Sequence, residues 1–199
     1  MMRRALDHVC RMLLFLLLAA AVPGTAFARN QPPDKRVNPN AKAIADFQDE
    51  VHEYLELHDK LEGTLPDPPR EPTPEDVDQR QRALAALIQK ARRNAKQGDI
   101  FKRHVRPVIR RLLHGVFTGP DAQQLRAAIK EENPTGAVKL QINGRYPDTF
   151  PFSTVPAQVL ATLPPLPKEL EYRFIDTTLI LLDAHAHIIV DYMIGAVPR

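Results

Sequence analysis

The sequence has 199 residues, a formal net charge of +3 and one cysteine, Cys10, so it offers no disulfide within the chain. It has no tryptophan and only 6% aromatic residues, which disfavours a surface that stacks nucleic-acid bases or sugars. A chain of this length can bury a core without disulfides, and it predicts one domain or two small packed subdomains.

The N-terminal segment has the three parts of a secretory signal peptide. Three arginines accompany an apolar run over residues 12–22, and Ala26-Phe27-Ala28 has the small-residue pattern of a cleavage site. The run is shorter than the about 20 apolar residues that a membrane-spanning helix needs. We therefore expect residues 1–28 to be cleaved, which gives a mature protein without a transmembrane segment in the periplasm or outside the cell.

Cleavage would also remove most of the chain's basic character. It takes away three arginines, one aspartate and the cysteine, so the net charge falls from +3 to +1. This even balance predicts no nucleic-acid partner. Residues 29–40, which follow, are polar and rich in proline, and this composition predicts a flexible leader.

Residues 41–134 have the apolar spacing of about four amphipathic helices. Thr73 is the predicted N-cap of the second helix, because Pro74 and two acidic residues follow it. We expect a break or restart of the third helix at Pro107. The predicted helices cover residues 41–62, Pro74 to about Lys96, about Asp99 to Val116, and Gly119 to a point before Pro134.

Residues 135–199 change to the alternation that is typical of strands, and the predicted fold class is therefore α+β. Residues 138–142 predict one strand before an Asn143-Gly144 turn, and a short helix is predicted from about Pro156 to Leu163. The chain then predicts a three-stranded antiparallel meander, whose central strand, residues 178–182, is the most apolar.

The C-terminal segment carries the one family resemblance of the chain. Its residues are Leu163-Pro164-Pro165-Leu166-Pro167, Leu170-Glu171-Tyr172-Arg173-Phe174, Leu179-Ile180-Leu181-Leu182-Asp183 and Ile189-Val190-Asp191-Tyr192. This pattern over residues 163–199 resembles the terminal hairpin of uncharacterised exported bacterial proteins. It is also loosely similar to the periplasmic nickel/cobalt-homeostasis family. The resemblance implies a protein of the bacterial cell envelope and implies no reaction.

Catalytic motifs are missing from the sequence. Ser153 is the only serine and lacks the glycines of a nucleophile elbow, and neither type of nucleotide-phosphate loop is present. We therefore favour a non-enzymatic accessory or interaction module, whose partner would be another envelope protein. A hydrolase that uses carboxylates of the first helix remains an alternative.

The best local candidate for a metal site in the sequence is a pair of histidines near the C-terminus, and no other cofactor is predicted. His185 and His187 are two residues apart, so on a strand both imidazoles would point to one face. Asp183 or Asp191 could then add an oxygen ligand to a divalent ion. The alternative is that His185 lies in a turn and His187 on the solvated face of the sheet.

Two further histidines lie on the first helix. His52 could share a metal with Glu56 four residues later, but a solvated pair is the plainer interpretation. His58 falls on the apolar stripe and is predicted to be a core or edge histidine.

The third predicted helix has a basic face. Such a face could bind an anionic surface or an acidic partner, or it could be solvated and paired with the acidic first helix. Its members are Arg103, Arg106, Arg110, Arg111 and His114.

Overall fold

A computed structural model describes residues 38–131, 139–148 and 155–198 of the chain. The predicted signal peptide over residues 1–28, Ser153 and the leader up to residue 37 lie outside these described residues. The described elements are α1 (Pro39–Glu62), α2 (Pro74–Ala91), α3 (Arg106–Phe117), α4 (Ala122–Glu131), α5 (Ala157–Leu160), β1 (Leu170–Ile175), β2 (Thr178–Asp183) and β3 (Ile188–Met193). Helices precede a small antiparallel sheet, which confirms the predicted α+β class.

The helix starts follow from local capping chemistry. Asn38 accepts a hydrogen bond from the Asn40 backbone N–H, and Pro39 opens α1. Thr73 is the N-cap of α2, as predicted, and it forms a capping box with Asp76. The third helix begins at Arg106, directly before Pro107, so the restart that was predicted at this proline is the true start of the helix.

The second helix ends earlier than predicted, at Ala91 instead of about Lys96. A tertiary contact accounts for the difference. The Asn143 side chain donates to the Arg92 carbonyl at 2.9 Å, and the Arg92 guanidinium donates to Asn143 Oδ1 at 2.7 Å. Asn143 therefore satisfies a terminal carbonyl of the helix and caps it from outside.

The strand predicted over residues 138–142 is wrong for its described part. Residues 139–142 have no strand, and Asn143 adopts a positive φ of 57°. The chain approaches β3 only afterwards, through the Asn143 N–H to the Ile189 carbonyl and the Tyr146 N–H to the His187 carbonyl. The turn expected at Asn143 is therefore present, but the alternation before it forms no strand of the described sheet.

The three-stranded meander is confirmed, with the order β1-β2-β3 and antiparallel pairing throughout. Every residue of β2 is buried, because both faces of this central strand are covered. Leu179 and Leu181 pack into the large core shared with the helices, whereas Ile180 and Leu182 pack with Tyr146 on the opposite face.

A buried carboxylate ties the segment before α3 to the sheet. Asp191 of β3 is fully buried and accepts backbone N–H bonds from Gly98 at 2.8 Å, Ile100 at 3.0 Å and Phe101 at 2.8 Å. The N–H of Tyr192 adds a fourth bond at 2.7 Å. Burial nevertheless raises the pKa of Asp191 above its ordinary value, since these bonds only partly offset the loss of water.

No helix within the described ranges is long and apolar enough to cross a membrane.

Candidate metal centre

The functional candidate of this fold lies where the C-terminal half of α1 meets the turn between β2 and β3. Tyr54, His58 and Glu62 follow each other at four-residue steps, so they stand on one face of α1. Asp183 ends β2, and His185 lies in the turn that follows. The network therefore joins residues that are more than 120 positions apart in the chain.

Asp183 is the buried centre of this network. Its Oδ2 accepts the Tyr54 hydroxyl at 2.5 Å and contacts His58 Nδ1 at 2.7 Å, while its Oδ1 accepts the Ala186 N–H at 2.7 Å. An ionised carboxylate can only accept hydrogen bonds, so the proton of the second contact is on His58 Nδ1. This orientation directs the other ring nitrogen, Nε2, away from Asp183.

Tyr54 supports the same arrangement as a neutral hydrogen-bond donor. Burial, followed by the nearby Asp183 carboxylate, raises the pKa of the Tyr54 hydroxyl well above its ordinary value. The hydroxyl therefore keeps its proton at neutral pH. The Arg92 guanidinium lies 5.0 Å from the centre of the Tyr54 ring.

Glu62 brings the two histidines together. Its Oε2 lies 3.1 Å from His58 Nε2 and 3.2 Å from His185 Nδ1, and the two imidazole rings have centroids 5.4 Å apart. His58 is fully buried, whereas the Glu62 side chain is 25% exposed and that of His185 is 40% exposed. The group therefore has a closed inner side and an outer side that solvent reaches.

The charges of this group shift its ionisation equilibria. Burial alone lowers the pKa of His58, but hydrogen bonds and charge attraction from Asp183 and Glu62 outweigh it and raise the pKa above its ordinary value. Burial raises the pKa of Glu62, but His185 and then His58 outweigh that effect, so this pKa is lowered. Without a metal ion, the network favours a protonated His58 between two carboxylates.

We predict that His58 stabilises the metal-free protein more at low pH than at high pH. Its stabilising contribution is complete below the unfolded-state pKa of about 6.5 and is lost as the pH rises through the raised folded-state pKa. The titratable groups that face it are Tyr54, Glu62, Asp183 and His185.

Urea unfolding with a chelator, at about pH 5.5 and about pH 8.5, tests this prediction on wild type and on His58→Gln. The difference in unfolding free energy between the two proteins should shrink toward the higher pH. Burial is the main cause that lowers the pKa of His187, so His187 changes stability with pH in the opposite direction. Both proteins contain His187, so this contribution cancels in the difference. A difference that is constant or grows with pH would contradict the prediction.

The predicted set of His185, His187 and Asp183 is not brought together as one ligand group. The described part of the chain contains one group of three side chains that could hold a metal ion, with donor atoms within 4.8 Å of one another, and we call it the ligand group. It consists of His58, Glu62 and His185. Asp183 contacts this group from behind through His58. Asp191 lies on β3 and is occupied by the backbone bonds described above.

His187 faces a different part of the molecule. The residues from 184 to 187 form a turn, so the alternation of a strand does not apply to the two histidines. His187 has a positive φ of 53°, its ring packs edge-on against Tyr146, and its Nε2 lies 3.3 Å from Asp148. Of the predicted pair, only His185 therefore belongs to the ligand group.

The sequence contained a signal for the missing members. His58 and Glu62 have the i, i+4 spacing of one helix face, as do His52 and Glu56. The two pairs differ in burial. The side chains of His52 and Glu56 are 75% and 70% exposed, and they contact each other at 3.3 Å in solvent. His58 is instead a buried histidine, in agreement with its place on the apolar stripe.

The predicted basic face is largely used within the protein. Arg106 donates to the Phe101 carbonyl, Arg110 to the carbonyls of Ile194 and Gly195, and Arg111 to the Asn40 side chain, whereas Arg103 is exposed. The contacts to acidic side chains of α1 come from neighbouring residues. Lys102 binds Glu50 at 2.5 Å, and His104 binds Asp46 at 2.9 Å.

A groove of about 510 Å³ opens beside the ligand group. We call it the proline groove, because Pro66, Pro68, Pro69 and Pro72 line it. The first turns of α2 also contribute to its lining, with Val77 and Arg80. Glu62 and His185 both belong to its lining, so the exposed side of the ligand group faces this groove.

No protein-family model, curated protein or solved structure matches this chain. The geometry of the described residues therefore carries the functional argument. Two imidazole nitrogens and a carboxylate oxygen form a donor set that suits zinc and its neighbours in the first transition series.

Proposed function

We propose that this protein binds a divalent transition-metal ion through His58 Nε2, Glu62 Oε2 and His185 Nδ1, as a non-catalytic protein of the cell envelope. One observation carries the proposal: three donor atoms from two distant parts of the chain lie within 4.8 Å of one another. Each donor belongs to a side chain that ligates such ions when it is deprotonated.

The spacing of the donors supports the same proposal. Two ligands that are each about 2.0–2.1 Å from a tetrahedral zinc ion lie roughly 3.3 Å apart. The carboxylate oxygen of Glu62 lies 3.1 Å and 3.2 Å from the two ring nitrogens, which is close to that separation. Two of the three separations between donor atoms therefore already match those around a zinc ion.

Titration calorimetry with Zn²⁺, Ni²⁺ and Co²⁺ tests the proposal on the purified protein. Nickel and cobalt are included because residues 163–199 resemble the nickel/cobalt-homeostasis family. We expect one ion per chain, bound with micromolar or tighter affinity, and a raised melting temperature. The proposal would be overturned if, with each of the three ions in turn, wild type gave no larger heat signal than a Glu62→Gln/His185→Ala double variant.

Asp183 would act on the ion through His58, as carboxylates behind ligating histidines do. We predict that Asp183→Asn weakens metal binding about 10–100-fold, because it removes the charge that orients the ring and increases its basicity. Titration calorimetry measures the affinity.

Chelator-treated protein separates this positioning role from a loss of fold. Its far-UV circular dichroism spectrum should be the same for wild type and Asp183→Asn at the temperature of the titration. A folded variant that bound the ion as tightly as wild type would contradict the role of Asp183.

The location of the protein is a second part of the proposal. We propose that the chain is exported and cleaved after Ala28, on the arginine, apolar and Ala-Phe-Ala pattern of its first residues. Mass spectrometry of the protein from its native source should find an N-terminus at Arg29. Recovery of the chain from the cytosol with Met1 still present would contradict export.

A further inference from the structure

The proline groove and the ligand group share two side chains, and their relation points to a second ligand. Three protein donors leave one position of a tetrahedral ion for water or another ligand. His58 is fully buried and backed by Asp183, so that position cannot lie on its inner side. Glu62 and His185 line the groove, so the position faces into it.

The groove has the size and lining of a small-molecule site. Its volume of about 510 Å³ falls in the range of ligand pockets, which is about 300–1,000 Å³. Prolines from the segment between α1 and α2 supply rigid apolar lining, and Val77 of α2 is 45% exposed although it is a large apolar side chain. An apolar molecule would cover this surface.

Arg80 supplies a cationic group beside the Glu62 carboxylate of the ligand group. Its Nη1 donates to the Pro66 carbonyl at 2.5 Å, which fixes the guanidinium, and its Nη2 lies 3.5 Å from Glu62 Oε1. A guanidinium has five N–H donors, so donors remain beyond these two contacts. The planar arrangement of these donors matches a carboxylate.

The balance of charge makes anion binding depend on the metal ion. Glu62, Asp67 and Asp76 line the groove against the single guanidinium of Arg80, so the metal-free groove has excess negative charge. A divalent ion would add two positive charges beside Arg80 in exchange for the proton on His58 Nε2, a net gain of one positive charge. The groove would then repel an anion less, and the open position of the ion would attract it.

We propose that the proline groove binds a small carboxylic acid with an apolar body, whose carboxylate occupies the open position of the ion and accepts hydrogen bonds from Arg80. This inference rests on the proposed metal site. The apolar body lies against the prolines and Val77.

Cobalt provides a probe that separates the two proposals. The visible absorption of Co²⁺ reports its coordination, so formation of the bands on adding Co²⁺ tests the metal site alone. Hexanoate is then added to the Co²⁺-loaded protein. We expect a saturable change of the bands with hexanoate, and no such change with hexan-1-ol, which has the same apolar body without the charge.

Arg80→Gln should weaken hexanoate binding about tenfold, because a charge-assisted hydrogen bond is lost. Arg82→Gln is the matched control, since Arg82 lies on the same helix, pairs with Asp78 and is not part of the groove lining. Its affinity for hexanoate should equal that of wild type. Equal weakening by both substitutions would overturn the role of Arg80.

The cobalt bands show which of the two proposals is wrong. If the cobalt bands form but do not respond to hexanoate, or respond equally to hexan-1-ol, the carboxylate inference is wrong and the metal site stands. If no cobalt bands form at all, the metal site is wrong, and the carboxylate inference fails with it.

Discussion

Asp191→Ala should lower the free energy of unfolding by about 3–5 kcal/mol, a large part of the stability of a small domain. The carboxylate is fully buried and accepts the backbone N–H groups of Gly98, Ile100 and Phe101. Alanine would leave the buried donors of Ile100 and Phe101 without an acceptor and would also leave a cavity. Urea unfolding followed by circular dichroism measures the loss.

Asp49→Ala is the matched control for this substitution. Asp49 is an exposed aspartate of α1, so its replacement should change stability by no more than about 0.5 kcal/mol. If Asp191→Ala changed stability as little as Asp49→Ala, the segment before α3 would not be held by the carboxylate as described.

Glu62→Gln and His185→Ala should each weaken metal binding about 100-fold or more, because each removes one of three protein ligands. Both side chains are partly exposed, so neither substitution opens a cavity in the core. Titration calorimetry with the tightest-binding ion measures the affinities. Unfolding of the metal-free variants in urea checks that their folds are intact.

His187→Ala and His52→Ala are the controls, and they address the two alternatives that the sequence had left open. His187 faces Asp148 and Tyr146, and His52 pairs with Glu56 in solvent, so both variants should bind the ion as wild type does. If His187→Ala lost metal binding while Glu62→Gln kept it, the ion would instead be bound by the His185 and His187 pair that the sequence had suggested.

The parts of the fold that depend on neighbours in sequence could be predicted. The capping box of Thr73 and Asp76 needs only four residues, and it starts α2 where expected. The alternation around Tyr172 and the apolar run of β2 likewise predicted the meander, because turn residues mark the ends of its strands.

The parts that depend on distant contacts could not be predicted. Local spacing continued α2 to about Lys96, but Asn143, 51 residues beyond Arg92, caps the helix earlier. Residues 139–142 likewise form no strand although the turn expected after them is present, since no strand of the described sheet pairs with them. In both cases a local periodic pattern was not enough, because pairing and capping depend on distant residues.

The candidate site was half visible in the sequence. His185 was named because two nearby histidines suggest a metal, but a turn sends His187 to another neighbour. His58 was placed correctly on the buried stripe, yet its partner Asp183 is 125 positions away. No local pattern reports that α1 packs beside the turn between β2 and β3.

Anomalous X-ray diffraction from crystals of the zinc-loaded protein is the most direct test of the proposed metal site. We expect one strong peak about 2.0–2.2 Å from His58 Nε2, a Glu62 carboxylate oxygen and His185 Nδ1. A peak at His187 or at His52 and Glu56 instead, or zinc-loaded crystals with no peak at the three predicted ligands, would contradict it.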